Sequence, residues 1–213
     1  MKNFLNDEKN RNVWVLMNMK LMGSALTESQ VDAMVNGEIV REAEISEHIE
    51  VNRLLDALSF GGKIYDLQEE LCIESLKKFY RILAEEEAEF RKSTPVLYHL
   101  SYNPVLPQEI KGELEMLFRN ISGSREDAVK KAVLLHNEIM RIYPFAKWND
   151  VIARLSLEYA LVYYGKPFVP VTLTEQEYNQ GIMDFLRRGD SSVLEGNLRT
   201  NLLMIESMEE RMV

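Results

Sequence analysis

Cysteine is nearly missing from this 213-residue chain. Cys72 stands alone, so no internal disulfide can form, and that usage fits a reducing compartment. Histidine is almost as scarce. His48, His99 and His136 are far apart, and with one cysteine no zinc-ligand spacing exists; no metal ligand set is expected. Basic residues are outnumbered, 25 Lys and Arg against 34 Asp and Glu, giving a formal charge of -9 and a pI near 5.0. That balance argues against nucleic acid or an anionic membrane as the main partner. No apolar run approaches the ~18 residues that a membrane span needs. The opening MKNFLNDEKNRN is too polar for a signal peptide. The glycine-rich phosphate loops GxGxxG and GxxxxGK[S/T] are missing. No linker, repeat or low-complexity segment interrupts the chain. These absences describe a cytoplasmic protein, bacterial in style, built as one domain over residues 1–213.

What is present is helix signal. The spacing predicts a helix over Asn6–Met22, within an N-terminal 1–24 segment, and a second over Val31–Val35 opened by a capping box at Thr27 and Gln30. A third is expected over Ile45–Phe60, ended by Gly61-Gly62. A fourth runs from Leu67 to about Glu89, its EEEAE tail read as a solvated face. Lys92 to Pro107 is the one non-helical stretch of any length. Thr94, Val96, Leu97, Tyr98 and Leu100 favour extended structure and Asn103-Pro104 a turn, which predicts a small β-hairpin flap. Pro107 then starts a helix that ends near Ser122-Gly123. Thr174 with Glu177 caps a helix through Arg188, and a last helix covers about Ser192 to Met208.

The organising stretch is Ala128–Pro170, read as helix, short loop, helix. Ala128, Val129, Ala132, Val133, Leu135, His136, Ile139 and Met140 share one face of the first arm. The second arm is apolar almost all round, which predicts the central helix of the fold. Between them lies YPFAKWND. The run HNEIMRIYPFAKWNDVIARL resembles the signature of the Fic family, H-P-F-x-[D/E]-G-N-G-R-x-x-R. Pro144, Phe145, Asn149, Ala153 and Arg154 match that motif, and His136, Ile139 and Ile142 match the helix before it. Leu26–Gln30, Phe90-Arg91, Tyr178 and Gly189-Asp190 match weaker family elements. The resemblance covers about Gly23 to Leu203. It implies an all-α core of about eight helices with one hairpin flap, and transfer of AMP from ATP to a protein hydroxyl.

The departures fall on the chemistry. Tyr143 stands where the family has its catalytic His. A general base works best with a pKa near the working pH. Holding a tyrosine as phenolate at neutral pH costs roughly 4–5 kcal/mol more than a histidine needs. Lys147 replaces the acid that would hold Mg²⁺. It carries donors only, so it either takes the cation's place against phosphate or is a surface lysine. Trp148 and Asp150 replace the two glycines that let backbone N–H groups face phosphate. Trp148 is expected to be strained at positive φ, and Asp150 brings negative charge to a phosphate position. Its other role is in the first turn of a helix capped by Asn149. Val151 replaces the first motif arginine. Arg154 is left as phosphate ligand or structural ion pair.

Family members also carry an inhibitory S/T-x-x-x-E-[G/N] helix. Ser191–Gly196 matches it through Ser191 and Glu195, and a capping box at Ser192 and Glu195 explains the same residues. Near the N-terminus Met22 occupies the Glu slot. The expectation is a Fic-fold protein that has lost or weakened AMP transfer and acts as a binding or regulatory module. Its target-docking flap would be Thr94, Val96, Tyr98 and Leu100. The nucleotide-facing residues would be Lys147, Asn149, Asp150 and Arg154. No cofactor is expected, or ATP with Mg²⁺ if catalysis survives. The partner would be a protein, and a homodimer stays open. The alternative is an active atypical nucleotidyl- or phosphotransferase.

Overall fold

The computed structural model describes residues 8–210, so the expected helix positions Asn6 and Asp7 lie outside the described residues. Those residues form α1 (Glu8–Leu21), α2 (Glu28–Val35), α3 (Ile45–Asp66), α4 (Ile73–Ala84), α5 (Ile110–Gly123), α6 (Ala128–Ile142), α7 (Asn149–Tyr163), α8 (Glu175–Arg188) and α9 (Ser192–Glu210). The all-helical expectation holds, with nine α-helices among the described residues rather than about eight.

The capping boxes at Thr27 and Thr174 form as the sequence implies. Thr27 opens α2 and Thr174 opens α8, each in a reciprocal capping box with Gln30 and Glu177. Asp127 caps α6 by accepting from Lys130 N–H. Each such cap stabilises its helix by ~1 kcal/mol. Gly189, at φ 70°, ends α8 in the left-handed conformation. Asp190 accepts from Ser192 N–H, which makes Ser192 the first residue of α9 rather than its cap.

α7 is the axis of the molecule. Apart from the partly exposed Asp150, every residue from Asn149 to Val162 is buried. α6 packs along it more extensively than any other pair of helices packs. α3 and α4 close over other sides of α7, and α8 and α9 pack on α6. Burial of each large aliphatic side chain contributes about 1.5–3 kcal/mol, which here outweighs four polar residues buried in α7: Asn149, Arg154, Ser156 and Glu158.

Three expectations need correction. α3 does not stop at Gly61-Gly62 but continues to Asp66. Both glycines are buried, and the extra turn also buries Ile64. A helical glycine costs only ~1 kcal/mol against alanine, less than that burial returns. Next, α4 starts at Ile73 rather than Leu67, because Gln68 takes φ 54° and breaks the chain direction. It ends at Ala84, with Glu85 left-handed at φ 55°, so the acidic tail is not helical.

The third correction concerns the flap: no hairpin forms. Leu97 and Tyr102 make one isolated antiparallel bridge, 3.0 Å and 3.3 Å between N and O, around a 3₁₀ turn at Tyr98–Leu100. In that register the next hydrogen-bonded pair is residue 95 opposite residue 104. Both are proline. Neither has an N–H to give, so the ladder stops after one rung.

Candidate functional site

The site is built on the turn between α6 and α7. Ile142 ends α6 and Tyr143 follows it in the left-handed region at φ 51°, its N–H donating to Ile139 O at 2.8 Å. Pro144 and Phe145 then enter the core. Asn149 closes the loop: its Nδ2 donates to Phe145 O at 2.8 Å and its Oδ1 accepts from Phe145 N at 2.9 Å. It is the first residue of α7, not its cap. The cap is Trp148, at φ 64° and ψ 11°. The tryptophan thus adopts a left-handed backbone that is strained for a residue with a Cβ. A non-glycine residue held there costs on the order of 1–2 kcal/mol. The half-buried indole packs against the core as a partial offset.

Around this turn each charged residue already has a protein partner. The half-exposed Lys147 pairs with Glu86 at 3.4 Å. Glu86 also accepts from the Tyr80 hydroxyl, which holds its carboxyl below the usual range. Tyr80 in turn stacks on Phe145, ring centroids 4.6 Å apart. Arg154 is 1% exposed. Its Nε donates to Asn18 Oδ1 of α1 at 2.7 Å, and its Nη2 donates to Asp150 Oδ2 at 2.9 Å. Nη1 is buried without a hydrogen bond. Tyr143 is half-buried. Burial and then the nearby Asp150 charge push its phenol above the ordinary value, so it is a proton holder and not a base at neutral pH.

Behind Arg154 a polar chain crosses the core. The guanidinium lies 5.3 Å from the Tyr178 ring centroid. The Tyr178 hydroxyl meets His136 Nε2 at 2.7 Å, and His136 Nδ1 meets Asn137 Oδ1 at 2.8 Å. Asn137 Nδ2 donates to Ser191 Oγ at 3.0 Å. That last bond makes Asn137 Oδ1 the acceptor toward His136. Nδ1 then carries the hydrogen, and Nε2 accepts from Tyr178. Burial depresses the His136 pKa to about 4 and pushes Tyr178 up to about 12, so both are neutral.

The predicted site residues do not form one cluster. Lys147, Asn149, Asp150 and Arg154 meet with Tyr143 at the turn. Ser191 touches it only through the Asn137–His136–Tyr178 chain. Glu195 pairs with Arg199 at 2.8 Å, and Arg199 also reaches Asp127 at 2.7 Å. Among the flap residues, Tyr98 is 84% exposed and Val96 53%, whereas Leu100 is buried and Thr94 half-buried. Two further residues belong to the site. Asn18 carried no sequence signal that set it apart from the other polar residues of α1, Asn10 and Asn12 among them. Glu86 lies in the acidic run whose composition pointed only to solvent.

The metal that the family resemblance implies does not fit this turn. Lys147, at the acid's position, has donors only, and the one carboxylate of the loop, Asp150, is engaged by Arg154. A Mg²⁺ would have to displace an ion pair and sit beside an ammonium group.

Residues 70–161 match the model of the Fic/DOC family. A Fic family protein from Desulfovibrio desulfuricans G20 has the same fold at 19% identity, TM-score 0.72, over 94% of this chain and 66% of that one. Fic-1 of C. elegans does so at 21% identity, TM-score 0.75, over 94% of this chain and 64% of that one. A Fic domain containing signaling protein from Bacteroides thetaiotaomicron gives 20% identity, TM-score 0.72, over 92% and 80%. The chain therefore spans just under two thirds of the first two structures. A guanylate kinase of Prochlorococcus marinus (strain MIT 9312) is 28% identical over 129 residues, 59% of this chain and 67% of that one. Among the described residues, no helix is long and apolar enough to cross a membrane.

Proposed function

This chain carries a Fic/DOC family region at residues 70–161 within a Fic fold, and from that premise we propose that it is a binding or regulatory module in which AMP transfer is lost or greatly weakened. The observation that carries this reading is the Asp150–Arg154 pair. The remaining motif arginine is buried, and a carboxylate of its own loop stands where an anion would dock. A nucleotide phosphate would have to expel Asp150 and then accept its repulsion. Tyr143 cannot take a proton near neutral pH, and Lys147 cannot hold a metal. With catalysis removed, the exposed Val96 and Tyr98 are left as the contact surface for a protein partner.

A second reading is an active atypical nucleotidyl- or phosphotransferase. Its support is the backbone. Trp148 keeps a left-handed turn before α7, so the first N–H groups of a 15-residue helix, which have no intrahelical acceptor, begin at the motif turn. The guanylate kinase likeness adds to it, although this sequence lacks the glycine-rich phosphate loop.

One experiment separates the two readings. Ligand that binds the native state raises the melting temperature by mass action. We expect millimolar ATP to leave the melting temperature unchanged with and without Mg²⁺, and labelled ATP to transfer no label to the protein or to lysate proteins. A rise of several degrees that a chelator abolishes, together with transfer of label, would establish the enzyme reading.

A further inference from the structure

We propose that Arg91 is a positioning residue that locks the 93–105 segment and the turn after α6 into one mechanical unit, so that whatever moves the first moves Tyr143. The arginine follows α4 and is 6% exposed. Among the described residues no carboxylate pairs with it; its partners are carbonyls from three stretches of chain. Nε donates to Tyr143 O at 2.7 Å, and Nη1 to Ser93 O at 2.9 Å. Nη2 is shared between Ile142 O, at 3.2 Å, and Val105 O. The backbone N–H of Arg91 adds a bond to Pro144 O at 3.0 Å.

One guanidinium therefore holds both ends of the 93–105 segment and the last carbonyls of α6. The planar fork of five donors suits this convergence, and a single ammonium does not. The carbonyl end of a helix also favours a cation. If either stretch moves alone, a buried charge loses part of its solvation, which is costly in a low-dielectric interior. The arrangement also does what strand pairing would otherwise do. With the ladder stopped at Leu97–Tyr102 by Pro95 and Pro104, the Arg91 bonds tie both ends of this segment to the motif turn, beside a Tyr102–Arg141 hydrogen bond to the last turn of α6. The functional consequence rests on the proposed docking role of Val96 and Tyr98: a partner seated there would set the backbone of Tyr143. The coupling itself needs no partner, so its test stands apart from that role.

Hydrogen exchange of the full chain reads the coupling directly. Leu97, Leu100 and Tyr102 report on the segment, and Arg91, Tyr143 and Phe145 on the turn; all six amides are hydrogen-bonded. In the unmodified protein we expect both groups to exchange through one opening, with the same urea dependence. Different slopes would overturn the proposal. Arg91→Lys should lower protection at least tenfold in both groups while α1, α3 and α8 keep theirs. A change in one group only, or in neither, would overturn it. If Arg91→Lys does not fold, Leu97→Ala decides. It loosens the segment from within and leaves the arginine in place. The loss of protection should then spread to Tyr143 and Phe145, and a loss confined to residues 93–105 would refute the coupling.

Discussion

Arg154 shows how one side chain can be a family ligand by sequence and a structural element by environment. A surface arginine in an ion pair contributes little, about 0–1 kcal/mol. A buried one cannot lose its partners cheaply, because the charge then has neither water nor counter-charge. We expect Arg154→Ala to lower stability by about 3–5 kcal/mol in urea unfolding. Asp150 is 39% exposed at its side chain, so solvent screens part of its interaction. Asp150→Asn should therefore cost less, about 1–2 kcal/mol. The two losses should be non-additive in a double-mutant cycle, since they share one contact. If Arg154→Ala unfolds within 1 kcal/mol of the parent, the guanidinium is not structural and is free to meet a ligand. The sequence pointed to this position and to both of its fates; it did not point to Asn18, 136 residues away, which accepts from the arginine's Nε.

The helices were legible because their signals are local. Caps at Thr27 and Thr174, the stop at Gly189 and the apolar stripe of α6 each act within a few residues. The boundaries that failed were decided by competition with packing. α3 runs through two glycines because the extra turn is buried. The 93–105 segment failed differently, since its alternation is strand-like while its register sets Pro95 against Pro104. That gives a direct test. Replacing both prolines with threonine restores two N–H donors at the next hydrogen-bonded pair. We expect cross-strand amide contacts between residues 95 and 104 in nuclear magnetic resonance spectra of Pro95→Thr/Pro104→Thr, and none in the parent. Persistence of the single bridge would mean that the Arg91 bonds, not the prolines, set its length.

At the scale of the whole molecule, the axis carries a buried carboxyl group. Glu158 is fully buried in α7, with no hydrogen bond of normal geometry to either carboxylate oxygen. Burial pushes its pKa well above the usual range, and the Val169 N–H offsets only part of that. The folded state therefore holds this proton more tightly than the unfolded chain does. Its contribution is fully present below the unfolded pKa near 4.5 and is lost as pH rises toward the folded value. We expect Glu158→Gln to unfold at nearly the parent's temperature at pH 4.5, and at a progressively higher temperature than the parent from pH 5 to pH 8. A constant difference across that range would show that the carboxyl is ionised in the fold. The helical architecture and the motif turn followed from the sequence alone, because periodicity, caps and prolines act on neighbouring residues. Which charges find each other did not. Asn18 with Arg154, Lys147 with Glu86, and Arg91 with four carbonyls are set by how the helices pack. So is the left-handed backbone of Trp148, where packing outweighs about 1–2 kcal/mol of local preference.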